Sequence, residues 1–271
     1  MTKQPTGPGP VFDAAQRYFV QWSPLLWEPV GAATTEASAP RPGERVLDVC
    51  CGGGASALPA AVKVGPSGSV DGVDISSALL AHGRTVAAQQ GLTNIRFIEA
   101  DVTRYTAEQP YDVVQCAFGV FFLLPDVNGA VARLIELLRP GGRFGATVWA
   151  RDSTTGVSSA AFDAVRELRP DLPRTSPVWE FARGLDTSEK LEGWLYLLGL
   201  KDIEVTKIPL RVPLTPELAW SFVLGTGMRG LISDLSADEV TRTHDRFQEL
   251  LVERGITELN ADSLVGVGRR A

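Results

Sequence analysis

The chemistry in this chain is concentrated in one run, Asp48-Val49-Cys50-Cys51-Gly52-Gly53-Gly54, and in two later acids, Asp74 and Asp101. Consecutive glycines let the backbone approach a ligand closely, and a helix that follows presents its amide dipole to that ligand. Asp74 lies 26 positions after Asp48 and closes a second apolar run. A carboxylate there can accept both hydroxyls of a ribose. Asp101 closes a third run, where a side chain can accept from an exocyclic amine. Together they point to a ligand that carries a nucleoside. His82 and His244 fall on helices rather than at strand ends, so neither joins the set and no catalytic group is assigned. Cys50, Cys51 and Cys116 have the spacing of neither a disulfide framework nor a metal site, and no metal is expected.

Two cofactors compete for such a loop. Gly52-x-Gly54-x-x-Ala57, with Asp74 about 20 residues on, satisfies the dinucleotide fingerprint, which makes an NAD-dependent oxidoreductase one reading. The glycines alone do not separate NAD from S-adenosylmethionine. The acid before them does. A carboxylate at the strand end repels a pyrophosphate, whereas it favours a ligand bearing a sulfonium and an ammonium.

The elements around these residues must hold them in place. An amphipathic segment over 11–27 carries Phe12, Tyr18, Phe19, Trp22 and Trp27, after a tail over 1–10 that reads as flexible. The Pro-rich connector APRPGE leads into the strand RVLDVCC. GSVDGVDI, NIRFIEAD, YDVVQCAF and RFGATVWA read as the next four strands, with a helix capped by Ser76 and another over 131–138 stopped by RPGG. Such alternation implies an α/β, doubly wound Rossmann-like sheet whose ligands sit outside the carboxyl ends of its strands.

Beyond Trp149 the pattern predicts a helix over 153–169, an irregular stretch PDLPRTSPVWEF and a helix from Thr187 to Gly199. The strand LKDIEVTKIPL follows. Thr215-Pro216-Glu217 starts a helix, Ser236 and Glu239 form a capping box for another, and SLVGVGRR is the last strand. The expectation is one domain over 11–271 with a mostly parallel sheet of seven strands and helices on both faces. A helical lid would occupy 11–40 and a cofactor core 41–150, with cap insertions at 151–200 and 211–258 over the ligand edge.

At this level the chain resembles the class I methyltransferases, in the group of ubiquinone- and menaquinone-type enzymes. RVLDVCCGGGASALPA, VDGVDIS, FIEADV, YDVVQCAFGVFFLLPD and LRPGGRFGATVW carry the resemblance, over about residues 44–150. It implies that Asp48 and the loop of Cys50, Cys51, Gly52 and Gly54 hold the aminocarboxypropyl end of S-adenosylmethionine. It also implies Asp74 on the ribose, Ile75 and Val102 against adenine, and Asp101 on the adenine amine. Backbone at Cys116, Ala117 and Phe118 would meet the methionine portion, with Tyr18 of the lid nearby. The family usually has glycine where this chain has Cys50.

Phe19, Trp22, Trp27, Phe121, Trp149, Trp179 and Trp220 fall in the lid, the strand-end loops and the insertions, and together suggest an aromatic-lined acceptor pocket. The expected activity is methyl transfer to a small, largely apolar or aromatic metabolite at oxygen, nitrogen or carbon, leaving S-adenosylhomocysteine. Proximity and desolvation would drive it. A protein that binds the cofactor without methyl transfer is the other rival. A net charge of -6 and a pI near 5.1 argue against nucleic acid as a partner. No stretch approaches the roughly 18 apolar residues that would span a membrane. A cytoplasmic protein is expected, with a homodimer as an allowed assembly.

Overall fold

β1 (Arg45–Val49) is a short strand with neighbours on both sides, and its Val46, Leu47 and Val49 are fully buried. A strand covered on both faces reads as continuous apolar sequence rather than as alternation. A computed structural model describes residues 9–171 and 175–271, without the side chains of 9–12. The tail over 1–10 lies almost wholly outside the described residues, as do 172–174 of the stretch expected to be irregular.

β1 pairs in parallel with β2 (Ser69–Asp74) on one side and β4 (Tyr111–Ala117) on the other. β3 (Ile95–Glu99) extends the sheet beyond β2, and β5 (Leu138–Trp149) lies beyond β4. Two antiparallel strands complete the seven, in the order β3-β2-β1-β4-β5-β9-β6. β6 is Leu200–Ile208 and β9 is Ser263–Arg270, so the last strand lies inside the sheet. The order reverses between β1 and β4, which opens a crevice at their carboxyl ends. Adjacent Val46 and Leu47 belong to different core clusters, as do Val113 and Val114, so helices cover both faces. The expected fold class is borne out.

Caps written in the sequence set the helix starts. Ser76 caps α4 (Ser77–Gln89), which follows α3 (Ala57–Val64). Asp126 caps α5 (Val127–Glu136). This helix begins before and ends before the expected 131–138, because Leu138 already pairs with Tyr111 in the sheet. RPGG is therefore an irregularity within β5 rather than a connector ahead of it. α6 (Thr155–Leu168) and α8 (Ser188–Leu197, capped by Thr187) fall close to expectation. So do α9 (Pro216–Gly225, capped by Thr215) and α10 (Ala237–Glu253), whose Ser236–Glu239 capping box is formed.

Three elements differ from the sequence reading. PVWEF is helical in α7 (Pro177–Arg183), where Ser176 is the cap and Pro177 opens the first turn. A two-stranded sheet joins β7 (Arg211–Pro213) and β8 (Glu258–Asn260), each too short to leave a pattern. The N-terminal segment expected as one lid is two helices, α1 (Gly9–Trp22) and α2 (Glu28–Ser38), joined by a π turn over Ser23–Trp27. Beside Val30, α2 buries hydroxyls, those of Thr34, Thr35 and Ser38. The Thr34 and Thr147 hydroxyls lie 2.6 Å apart, and Thr35 donates to the Ser56 carbonyl at 2.9 Å. Gly31 rests so closely on the glycine loop that an added Cβ would lie 2.3 Å from the Ala55 oxygen.

Candidate functional site

The site is built where β1 runs out. After Val49 the chain turns through Cys50 at φ 54°, Gly52 at 52° and Gly54 at 91°. The left-handed region costs a non-glycine residue about 1–2 kcal/mol, so Cys50 is held there by its surroundings. Its thiol pairs with that of Cys116, and this contact together with burial pushes the Cys50 thiol up, keeping it protonated. Gly119 makes room for the pair: a Cβ there would lie 2.4 Å from Cys50 Cβ and 2.8 Å from Cys116 Sγ. Cys51 also faces the cavity, and burial raises its thiol.

Asp48 stands behind the loop, not on the cavity wall. It is fully buried, with Oδ2 accepting from Ser56 Oγ at 2.6 Å and Gln115 Nε2 at 3.3 Å. Oδ1 has no partner among the described residues. Burial pushes its carboxyl up to about 7, against the two hydrogen bonds that lower it. The sequence alone assigns this charge to the ligand. The structure moves it one layer back, because Ser56 and Gln115 already hold the carboxylate.

Asp74 and Asp101 do face the cavity. Asp74 accepts from the Gly52 amide at 2.9 Å and the Ser76 amide at 2.8 Å, which ties the end of β2 to the β1 loop. Burial raises its carboxyl, and these backbone bonds oppose the shift. Each oxygen keeps a lone pair for a ligand. Asp101 is exposed, and Oδ1 accepts from the Thr103 hydroxyl at 2.7 Å and its amide at 2.9 Å, which lowers its carboxyl. Ile75, Val102, Gly52, Ala117 and Phe118 line the same end.

These residues form one end of a cavity of about 520 Å³ that continues beneath the lid. Its other end is aromatic. Phe19 stacks on Trp27 at 5.0 Å, Phe118 on Trp149 at 4.1 Å, and Trp27 meets Phe118 edge-on at 5.9 Å. Phe121, Phe122 and Trp179 join this wall, with Val178, Phe222 and Met228, which the sequence reading did not single out. Those three sit in insertions where apolar residues look like ordinary core. Among the described residues, no His, Lys, Arg, Glu or Tyr lines the cavity.

α1 is anchored at both ends. Asp13 of α1 accepts from the Ser76 hydroxyl at 2.6 Å and the Ala78 amide at 3.2 Å. Trp22 is fully buried, donates to Ser221 Oγ at 2.9 Å and packs edge-on against Phe222. Gly225 meets Tyr18 so closely that a Cβ would lie 2.9 Å from Tyr18 Cβ. Trp22 and Tyr18 thus fasten α1 to α9 and do not line the cavity. Trp220 lies elsewhere, packed against His244 at 5.1 Å and Phe247 at 5.5 Å. Gly54 and Cys116 are buried behind the wall, Gly54 because a Cβ there would lie 2.9 Å from the Phe97 ring.

Comparison with known proteins agrees with this geometry. Residues 46–142 match the family described as Methyltransferase domain. The chain is 37% identical to aklanonic acid methyltransferase DauC of Streptomyces sp. (strain C5) over 137 residues, 50% of this chain and 62% of that one. It is 34% identical to the ubiquinone/menaquinone biosynthesis C-methyltransferase UbiE of Stutzerimonas stutzeri, over 48% of this chain and 51% of that one. The chain thus spans between half and two thirds of these curated relatives. The crystal structure of the YcgJ protein from Bacillus subtilis shares the fold, with a TM-score of 0.56 at 17% identity over 89% of this chain and 97% of that one. The resemblance carried by the motifs is borne out.

Proposed function

We propose that the chain is an S-adenosylmethionine-dependent methyltransferase acting on a small, largely apolar or aromatic acceptor at oxygen, nitrogen or carbon. The carrying observation is one continuous cavity that joins the glycine loop and two strand-end carboxylates to an aromatic chamber. The residues fit the cofactor. Gly52 lines the cavity with no side chain of its own, the Phe19 ring packs close against it (a Cβ there would stand 3.2 Å from that ring), and Asp74 sits directly beside it. Asp74 would take the ribose hydroxyls, Ile75 and Val102 would sandwich adenine, and Asp101 would accept from its amine. The loop of Cys50, Cys51 and Gly52, with backbone at 116–118, would hold the amino-acid end, and Asp48 would fix that loop from behind.

Bound S-adenosylmethionine supplies a methyl group on a positively charged sulfur. The chain's own residues then orient the acceptor and exclude water. Trp27, Phe118 and Trp149 offer flat faces that fix a planar acceptor, and the α1–α9 lid keeps the chamber dry. With no Lys, Arg or His on the wall among the described residues, the acceptor must bring a nucleophile that ionises easily or has a free lone pair.

The dinucleotide reading gains no support, because Gly54 of its fingerprint is turned into the Phe97 ring, away from the cavity. No helix among the described residues is long and apolar enough to cross a membrane. A cytoplasmic enzyme, alone or as a homodimer, fits this proposal, and sedimentation analysis distinguishes the two assemblies. Calorimetric titration with S-adenosylhomocysteine tests the reading: saturable binding is expected and none to NAD. Binding of NAD in place of S-adenosylhomocysteine would overturn it.

A further inference from the structure

Two polar groups on the cavity wall are left unused by local structure: the buried indole N–H of Trp27 and one hydroxyl. Five hydroxyl side chains line the cavity: Ser56, Thr103, Thr154, Ser176 and Thr226. Ser56 donates to Asp48 and Thr103 to Asp101. Ser176 and Thr226 cap helical turns by accepting the Trp179 and Met228 amides. Thr154 has no such task. It occupies the cap position of α6, yet its hydroxyl makes no capping bond and has no partner among the described residues. The residue is only 4% exposed and it lines the cavity.

A hydroxyl that faces a cavity without a protein partner is free to bond a ligand there. The surrounding backbone holds Thr154 firmly. Its φ of 59° lies in the left-handed region, which is unfavourable for a branched residue. Its amide donates to the Asn260 carbonyl at 2.8 Å, and its carbonyl accepts the first helical bond, from Ser158, at 2.8 Å. The preceding Ser153 donates through its hydroxyl to the Asp262 carbonyl, and Ala150 donates its amide to the same oxygen at 3.0 Å. Thr154 therefore stands on a fixed loop at the positive end of a fourteen-residue helix, a few residues beyond Trp149.

We infer that Thr154 is an anchoring subsite for a carbonyl oxygen on the methyl acceptor, which orients the acceptor's ring against Trp149. This rests on the methyltransferase reading for the word acceptor, but the subsite itself can be tested by binding alone. A neutral carbonyl suits it better than a carboxylate. Among the described residues the wall carries no Lys or Arg to balance an anion, and Asp74 and Asp101 share the cavity.

The test uses the full chain saturated with S-adenosylhomocysteine and three probes of one shape: 2-acetylnaphthalene, 2-ethylnaphthalene and 2-naphthoate. Calorimetry is expected to show the ketone binding about fivefold more tightly than the hydrocarbon, the size of one neutral hydrogen bond, and the carboxylate no more tightly than the ketone. Thr154→Val keeps the shape and the branched Cβ, and should abolish the preference without changing affinity for 2-ethylnaphthalene. Thr154→Ser should retain the preference. Equal binding of ketone and hydrocarbon to the natural chain, a preference that survives Thr154→Val, or tighter binding of 2-naphthoate would each overturn the assignment. Failure of S-adenosylhomocysteine to bind in the preceding saturation step would instead strike the cofactor reading, which separates the two.

Discussion

The two ends of the cavity are made differently. At the glycine-loop end, each acid is tied to a neighbour close by: Asp74 to the Gly52 and Ser76 amides, Asp101 to Thr103, and Asp48, through Oδ2 alone, to Ser56 and Gln115. At the aromatic end, stacked rings from the N-terminal helices, the β4 loop and β5 form the wall, and the Thr154 hydroxyl and the Trp27 indole N–H are left over. The first end is a rigid polar mould whose parts come from consecutive strand ends. The second gathers distant segments whose only shared property is being apolar. A mould for one invariant ligand can be local and explicit, while a chamber for a particular acceptor is assembled from whatever the cap brings together.

If that contrast holds, perturbing each end should leave the other intact. The largest effect is expected from Asp48. Its carboxyl is raised to about 7 in the folded chain, so the folded state holds a proton that the unfolded state has lost above about 4. Stability in the unliganded protein should therefore be highest at low pH within this window and fall as pH rises from about 4 to about 7. The loss is at most on the order of 4 kcal/mol, since each tenfold change in proton affinity is worth ~1.4 kcal/mol. Asp48→Asn should flatten that slope in denaturant titrations taken across the range, and an unchanged slope would show that the burial of Asp48 is not the cause.

Asp74→Asn should weaken S-adenosylhomocysteine binding about a hundredfold, since charged hydrogen bonds are each worth ~1.5–3 kcal/mol, while 2-ethylnaphthalene binding barely moves. Loss of both affinities together would break the separation of the two ends. Gly119→Ala should destabilise the fold by about 1–3 kcal/mol, because its methyl collides with the Cys50–Cys116 pair. Cys50→Gly, which removes both the thiol and the left-handed strain, should recover most of that in a double-mutant cycle. Trp149→Ala is the smallest perturbation for the cofactor. It should lower 2-ethylnaphthalene affinity about tenfold through lost ring stacking, with S-adenosylhomocysteine affinity unchanged by calorimetry.

The same contrast explains what the sequence could reveal. The sheet was legible because its parallel strands are buried on both faces and end in distinctive residues, and because Ser76, Thr187, Thr215 and Ser236 announce their helices. α2 was not legible as a helix of its own, since it buries Thr34, Thr35 and Ser38 where a pattern search looks for leucine. Trp22 and Trp220 could not be told from Trp27 and Trp149 by type or by spacing, as all four are large rings in segments near the site. Only the packing separates them: Ser221 and His244 claim the first pair, and the cavity claims the second. Thr154 left no signal at all, because an unused hydroxyl is visible only once every neighbour has been placed.

The position of β9 has a consequence for how the chain is made. Residues 263–270 are the last of the seven strands to leave the ribosome, yet they lie between β5 and β6. Until they emerge, β5 shows an open edge and β6 has no partner in the sheet. A nascent chain therefore carries the glycine loop in a parallel half-sheet that can form early, while its C-terminal half waits. Removing 263–270 should not trim an edge but split the sheet, leaving two strand edges free to pair with other chains. Such a truncation is expected to yield aggregated protein, whereas a soluble product that still binds S-adenosylhomocysteine would show that the five parallel strands stand on their own.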